Sequence, residues 1–204
     1  MILTTVPNAI ETVDALLVPR VAQALRVWRR LGLELGEAAV YTGDGDLADA
    51  VGLLAKWHGG MPVVRLTETD ATAIDGIQDV AVQDATTAVA RLRSLVAQAP
   101  GVAAVDLLGR GSIIGVLLEA LPRWGRLMLA GPLSDPFTTG FYTDLHRKGT
   151  MVCAAGDLDS IATDPQSWEA DVRNARRLLT NDAYAAELRA CLTRGRATAG
   201  GGGA

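Results

Sequence analysis

Aromatic residues are scarce. They make up 4% of the 204 residues, so a core has to be assembled from Ala, Val, Leu and Ile. Lysine is nearly absent, with Lys56 and Lys148 standing against seventeen arginines among the 19 basic residues. We read that bias as codon composition, as expected of a high-GC bacterium, and not as chemistry. The two cysteines, Cys153 and Cys191, form no CxxC pair and have no neighbouring histidine, as expected for buried, reduced thiols in a cytoplasmic protein. With two histidines, His58 and His146, as the other soft ligands, a four-ligand zinc site is not expected. No apolar run approaches the ~20 residues of a membrane span, and the start, Met1 to Pro7, has no signal-peptide character. The formal charge is −4 with no polybasic stretch, which argues against a nucleic-acid or membrane-surface partner. No Walker loop, Gly-x-Ser-x-Gly elbow or His-Glu-x-x-His motif occurs.

What is present is apolar and regularly alternating. Hydrophobic residues reach 49%. Three- and four-residue spacing predicts helices over 15–31, 46–57, 84–98 and 112–121, with a short one over 142–148. Short apolar runs predict strands over 38–42, 63–66, 79–82, 102–108, 126–130 and 150–154. Near-continuous apolar strands alternating with helices imply an α/β fold with a parallel sheet covered on both faces. Right-handed crossovers then give a doubly wound six-stranded sheet, most simply in the order 3-2-1-4-5-6. The last 40 residues before the tail read as helical, with Trp168, Val172, Ala175 and Leu179 on one face and Tyr184, Leu188 and Cys191 on another. Residues 1–194 read as one domain, and 195–204 as a flexible glycine-rich tail.

The most informative segment is Tyr41-Thr42-Gly43-Asp44-Gly45-Asp46-Leu47-Ala48. It matches G-x-G-x-x-A between a predicted strand and a predicted helix, the context in which such a turn holds a dinucleotide. Gly43 permits the tight turn, Gly45 lets the backbone approach a pyrophosphate, and Ala48 lets helix and strand pack closely. Free N–H groups and the positive end of the helix dipole complete an anion site. Asp44 and Asp46 oppose it. Two like charges 4 Å apart repel by about 4 kcal/mol at an effective dielectric of 20. Asp46 is also a candidate to cap its own helix and occupy those N–H groups.

The second strand should end at a group that reads the adenosine ribose. Arg65 there tilts the cofactor towards NADP, whereas Glu68 or Asp70 would restore NAD. The candidate cofactor-binding set is therefore Thr42, Gly43, Gly45, Asp46, Leu47 and Ala48, then Arg65 and Thr67, then Gly109 and Gly131 in the turns after the fourth and fifth strands. Ser112 is a candidate N-cap. Arg110 is placed either to face an anionic ligand, to compensate Asp44, or simply to face solvent. His58 and His146 sit where a helix C-terminus favours a cation, a structural rather than a catalytic placement. Tyr142 precedes His146 by one helical turn, but no third group fixes an acid/base pair.

These segments, together with Leu31-Gly32-Leu33-Glu34-Leu35-Gly36-Glu37, Val105-Asp106-Leu107-Leu108-Gly109 and Pro122-Arg123-Trp124-Gly125-Arg126, resemble the Rossmann coenzyme-binding domain of the medium-chain dehydrogenase/reductase family. The resemblance spans roughly residues 15–190. It implies NAD or NADP binding, hydride chemistry on a small-molecule substrate, and a homodimer formed through the edge strand Thr150–Ala154. The predicted first helix begins at residue 15, so the family's GroES-like catalytic domain, with its zinc ligands, is expected to be lacking. The leading expectation is a zinc-free oxidoreductase-like protein of bacterial specialised metabolism. The alternatives are a repurposed cyclase, isomerase or lyase without a redox cofactor, and a non-catalytic nucleotide-sensing or partner subunit.

Overall fold

The computed structural model describes residues 12–68, 73–156 and 165–199. In chain order the elements are α1 (Thr12–Leu31), β1 (Ala38–Thr42), α2 (Gly45–Trp57), β2 (Val63–Thr67), β3 (Ile77–Ala81), α3 (Ala85–Val96), β4 (Val102–Asp106), α4 (Gly111–Ala120) and β5 (Arg126–Leu129). A six-residue π-helical turn, Phe141–His146, leads to β6 (Met151–Ala154), followed by α5 (Pro165–Leu179) and α6 (Asp182–Ala199). All six strands are parallel, in the order β3-β2-β1-β4-β5-β6. The doubly wound sheet expected from the alternation is therefore the fold.

Strand composition follows position in the sheet. Every residue of β1, β2 and β4 is buried, because these central strands are covered on both faces. The edges β3 and β6 are largely open. Ala39 and Tyr41 face a core built with α1, α2, α5 and α6, whereas Ala38 and Val40 face one built with α3 and α4. Side chains alternate across a strand, so one five-residue segment supplies both cores. α3 begins where Asp84 accepts hydrogen bonds from the amides of Thr86 (3.3 Å) and Thr87 (3.1 Å).

The predicted elements are displaced by a few residues at their ends. β4 stops at Asp106, short of the expected 108, because the chain turns there over a buried carboxylate. α4 starts at Gly111, so Ser112 lies inside the helix and Arg110 holds the N-cap position without a side-chain cap bond. α6 continues to Ala199, beyond the expected start of the tail at 195. The remaining tail residues, Asp70, and the first eleven residues lie outside the described part of the chain.

α5 is tied to α1 by a buried ion pair. Arg26 and Asp171 are each 1% exposed, and Arg26 Nε meets Asp171 Oδ2 at 3.1 Å. Arg29 reaches the same oxygen at 3.0 Å, and the Trp168 ring lies 5.1 Å from the Arg26 guanidinium carbon. At the amino-terminal end of the strands a groove of about 350 Å³ lies between the ends of α3 and α4 and Lys148. Two of the cations that line it, Lys148 and Arg93, are engaged. Lys148 donates to the carbonyls of Leu118 and Glu119, and Arg93 to that of Glu119, each at 2.8 Å. They satisfy the last carbonyls of α4, the ordinary role of a cation at a helix C-terminus.

Removing one partner of a buried pair strands the other charge. Asp171→Ala is expected to lower unfolding free energy by about 3–5 kcal/mol, read by urea denaturation monitored at Trp fluorescence. A loss below about 1 kcal/mol would show that Arg26 finds water or another acceptor.

Candidate functional site: the crevice at the carboxyl ends of the strands

In an open parallel sheet the ligand crevice opens where the strand order reverses, here between β1 and β4. The turn leaving β1 lies at that point. Gly43 and Gly45 have φ of +101° and +81°, conformations that L side chains rarely adopt. A Cβ at Gly45 would meet nothing within 4 Å, so the turn is open on its outer side. Asp44 occupies the N-cap of α2 with extended backbone and makes no side-chain cap bond. Asp46 lies in the first helical turn and is exposed, as are Asp44 and Gly45. The amide end of α2 therefore carries no cap from its own side chain. Leu47 is half-buried against the core and Ala48 is 1% exposed, so that end of the helix is seated tightly on the sheet.

The opposite wall is organised by Asp106, the last residue of β4, which is fully buried. Its Oδ1 accepts from the Thr42 hydroxyl at 2.9 Å and the Leu108 amide at 3.3 Å, and its Oδ2 accepts from the Gly109 amide at 2.9 Å. The Thr42 hydroxyl in turn accepts from the Leu107 amide at 2.9 Å. The Asp106 carbonyl accepts from the amides of Ala130 (2.8 Å) and Gly131 (2.9 Å). One residue thus fastens the ends of β1, β4 and β5. Burial pushes its carboxyl above the ordinary range, and the three hydrogen bonds pull the other way. From the sequence, Asp106 has no role beyond its place in the fourth strand and in the segment Val105–Gly109 that resembles the family. The visible signal is a lone acid inside an apolar run, three residues before a glycine.

Gly109 and Gly131 serve contact between turns. A Cβ at Gly109 would collide with the Pro132 carbonyl, and one at Gly131 would lie 2.5 Å from the Leu107 carbonyl oxygen. The loop after β5 covers the start of α4. Ser134 donates from its amide (2.8 Å) and its hydroxyl (3.1 Å) to the Gly109 carbonyl, and Asp135 Oδ2 accepts from the Gly111 amide at 3.1 Å. Asp135, rather than Ser112, thus serves the amide end of α4, from 24 residues downstream.

The structure corrects the reading of Arg65. It lies in the interior of β2, 2% exposed, with its guanidinium bidentate on Asp79 of β3 (2.7 and 3.0 Å) and 3.8 Å from Asp49 of α2. A strand-end arginine awaiting a 2′-phosphate it is not, because β2 runs two residues further, to Thr67. Thr67 is buried, and its carbonyl accepts from the Val82 amide at 3.0 Å. The first acid past β2 is Glu68, which pairs with Arg110 at 2.5 Å, so Arg110 faces neither Asp44 nor bulk solvent alone. The histidines stand apart. His58 Nε2 donates to the Leu33 carbonyl at 2.9 Å, and His146 stacks on Tyr142 with ring centroids 5.6 Å apart. Among the described residues no group of three His, Cys, Asp or Glu side chains is placed to hold a metal ion, and no helix is long and apolar enough to cross a membrane.

Solved structures similar to this chain include dehydrogenases. Galactitol-1-phosphate dehydrogenase from Escherichia coli superposes with a TM-score of 0.66 at 14% identity, over 85% of this chain and 52% of that one. 2R,3R-butanediol dehydrogenase from Bacillus subtilis gives 0.63 at 16%, over 93% and 58%. A short chain alcohol dehydrogenase from E. coli, complexed with NADH, gives 0.66 at 12%, over 85% and 50%. The fold is the Rossmann-like fold of these dehydrogenases. At such identities the likeness is one of fold, and this chain spans about half the length of each. No family model and no curated protein matches the sequence.

Replacing Asp106 by Asn sets an NH₂ against one of the donors it now accepts. Asp106→Asn is expected to lower unfolding free energy by about 1–3 kcal/mol. The pH dependence has a definite sign. The folded carboxyl is raised above its ordinary 3.8, so the unfolded chain releases the proton first. Wild-type stability relative to Asp106→Asn must therefore fall as pH rises from about 3.8 through the raised folded value. A relative stability that climbs with pH in urea titrations would mean that the hydrogen bonds outweigh burial.

Proposed function

We propose that this chain binds NAD(P)(H) across the carboxyl ends of β1 and β4 and serves a zinc-independent oxidoreductase of the medium-chain dehydrogenase/reductase type, acting on a small molecule. The observation that carries this reading is the uncapped amide end of α2, presented by an open Gly43–Gly45 turn at the switch point of a dehydrogenase fold. A diphosphate fits this donor set, since first-turn amides have no partner within their own helix and the dipole favours an anion there. Bound nicotinamide would supply the hydride chemistry. The chain's own residues bind and orient. The α2 amides hold phosphate, Asp106 and Thr42 keep the two walls of the crevice in register, and Glu68 stands where ribose hydroxyls are read. An acid at that place favours NAD(H) over NADP(H), and Arg65, committed to two carboxylates, does not counter it.

The test is a titration with NADH and NADPH, followed by Trp fluorescence and calorimetry. Saturable micromolar binding with NADH the tighter ligand is expected. Gly45→Val should weaken it by about tenfold or more, equivalent to about 1.4 kcal/mol, with circular dichroism confirming the fold. Absence of saturation by either nicotinamide at millimolar concentration would sink the reading.

The same reading assigns a homodimer to the β6 edge. β6 is the outermost strand, with Met151 45% and Val152 40% exposed. An open apolar edge invites pairing with another strand, and a second copy across a two-fold axis satisfies it in an ordered way. Light scattering on purified protein should give a dimer, and Val152→Lys a monomer. A monomeric wild type would end this assignment without touching the coenzyme site.

A further inference from the structure

The geometry points to an autoinhibitory strap. We propose that the Glu68–Arg110 ion pair lies across the adenosine half of the crevice and must part before a nucleotide enters. This inference rests on the coenzyme reading above.

The strand order supplies the geometry. Glu68 follows β2 and Arg110 precedes α4 after β4, and these two strands flank β1. Their carboxyl ends are two strand spacings apart, about 9–10 Å. For Glu68 Oε2 and Arg110 NH1 to stand 2.5 Å apart, both side chains must extend towards each other over the end of β1, where the Gly43 turn begins. The ribose of a bound dinucleotide is read at the end of β2, so the pair occupies the approach to that place.

The anchors are fixed and the side chains are free to swing. The Gln83 amide donates to the Glu68 carbonyl at 3.4 Å, tying that corner to the end of β3. Beside Arg110, Gly109 is held by Asp106 on one side and Ser134 on the other. The side chains themselves are 33% and 53% exposed, so rotation about their own bonds opens the strap without moving the backbone. A pair this exposed is weak and screened by salt. It closes the crevice by a few-fold, not absolutely, and lowers apparent affinity by the fraction of molecules that remain closed.

Charged ligands blur this effect, because Asp44 and Asp46 repel phosphate and removing Arg110 makes the crevice more acidic still. Adenosine is neutral and isolates the strap. Adenosine binding is measured by calorimetry at low and high salt for wild type, Arg110→Met and Arg110→Lys, with NADH titrated in parallel. Arg110→Met should bind adenosine about three- to fivefold tighter than wild type at low salt. Wild-type affinity should rise with salt, Arg110→Met should be flat, and Arg110→Lys should restore the salt dependence. If wild type binds NADH yet Arg110→Met gains nothing for adenosine and wild type ignores salt, the strap is overturned and the coenzyme reading stands. If no variant binds adenosine or NADH, the coenzyme reading falls and the strap with it.

Discussion

The buried Asp106 carboxylate is the constraint on which the crevice depends. Three parallel strands end together without a hairpin to align them, and their last amides need acceptors that a shrinking ladder no longer supplies. Asp106 meets that need from one position. Its side chain takes the Thr42 hydroxyl and the amides that turn the chain after β4, while its carbonyl takes those that turn it after β5. The two glycines beyond it, Gly109 and Gly131, are consequences of this close approach, since their neighbours leave no volume for a Cβ.

That arrangement makes the two candidate anion sites unequal. α4 and α2 both start at the carboxyl edge, and each offers unpaired amides. At α4 the carboxylate of Asp135 already accepts from Gly111, brought there by the loop that packs on Gly109. At α2 neither Asp44 nor Asp46 caps the helix, and the outer side of the turn is open. The acids flanking Gly45 still oppose a phosphate, but both are exposed, where water and salt screen them within about 8–10 Å. Local hydrogen-bond geometry favours an anion at that end of α2, and local charge opposes one.

Buried charge elsewhere is used for register. Arg65 and Asp79 are register partners on β2 and β3, and Asp49 completes the set from α2, so the edge strand β3 is fixed by an ion pair as well as by its ladder. Arg26 and Asp171 do the same between α1 and α5. In a core with so few aromatics, chiefly made of small aliphatic side chains, shape alone specifies pairing weakly, and these pairs supply direction.

The glycine turn and the faces of the helices were legible in the sequence because each depends on residues within one or two turns of each other, and the order of the sheet because strand–helix alternation with right-handed crossovers leaves few alternatives. Arg65 was misplaced for the opposite reason. Its partners lie 14 and 16 residues away in other elements, and only the β2–β3 register brings them together. Asp135 at α4, Asp106 beneath three turns, and Glu68 against Arg110 are likewise contacts between segments that the chain separates and the fold joins. The sequence by itself determined where a phosphate-type turn stands and which strands are buried, since pattern and backbone conformation are local. Which carboxylates are spent on amides, and which remain to meet a ligand, was decided by tertiary structure alone, since hydrogen bonding at strand ends depends on what the neighbouring turns deliver.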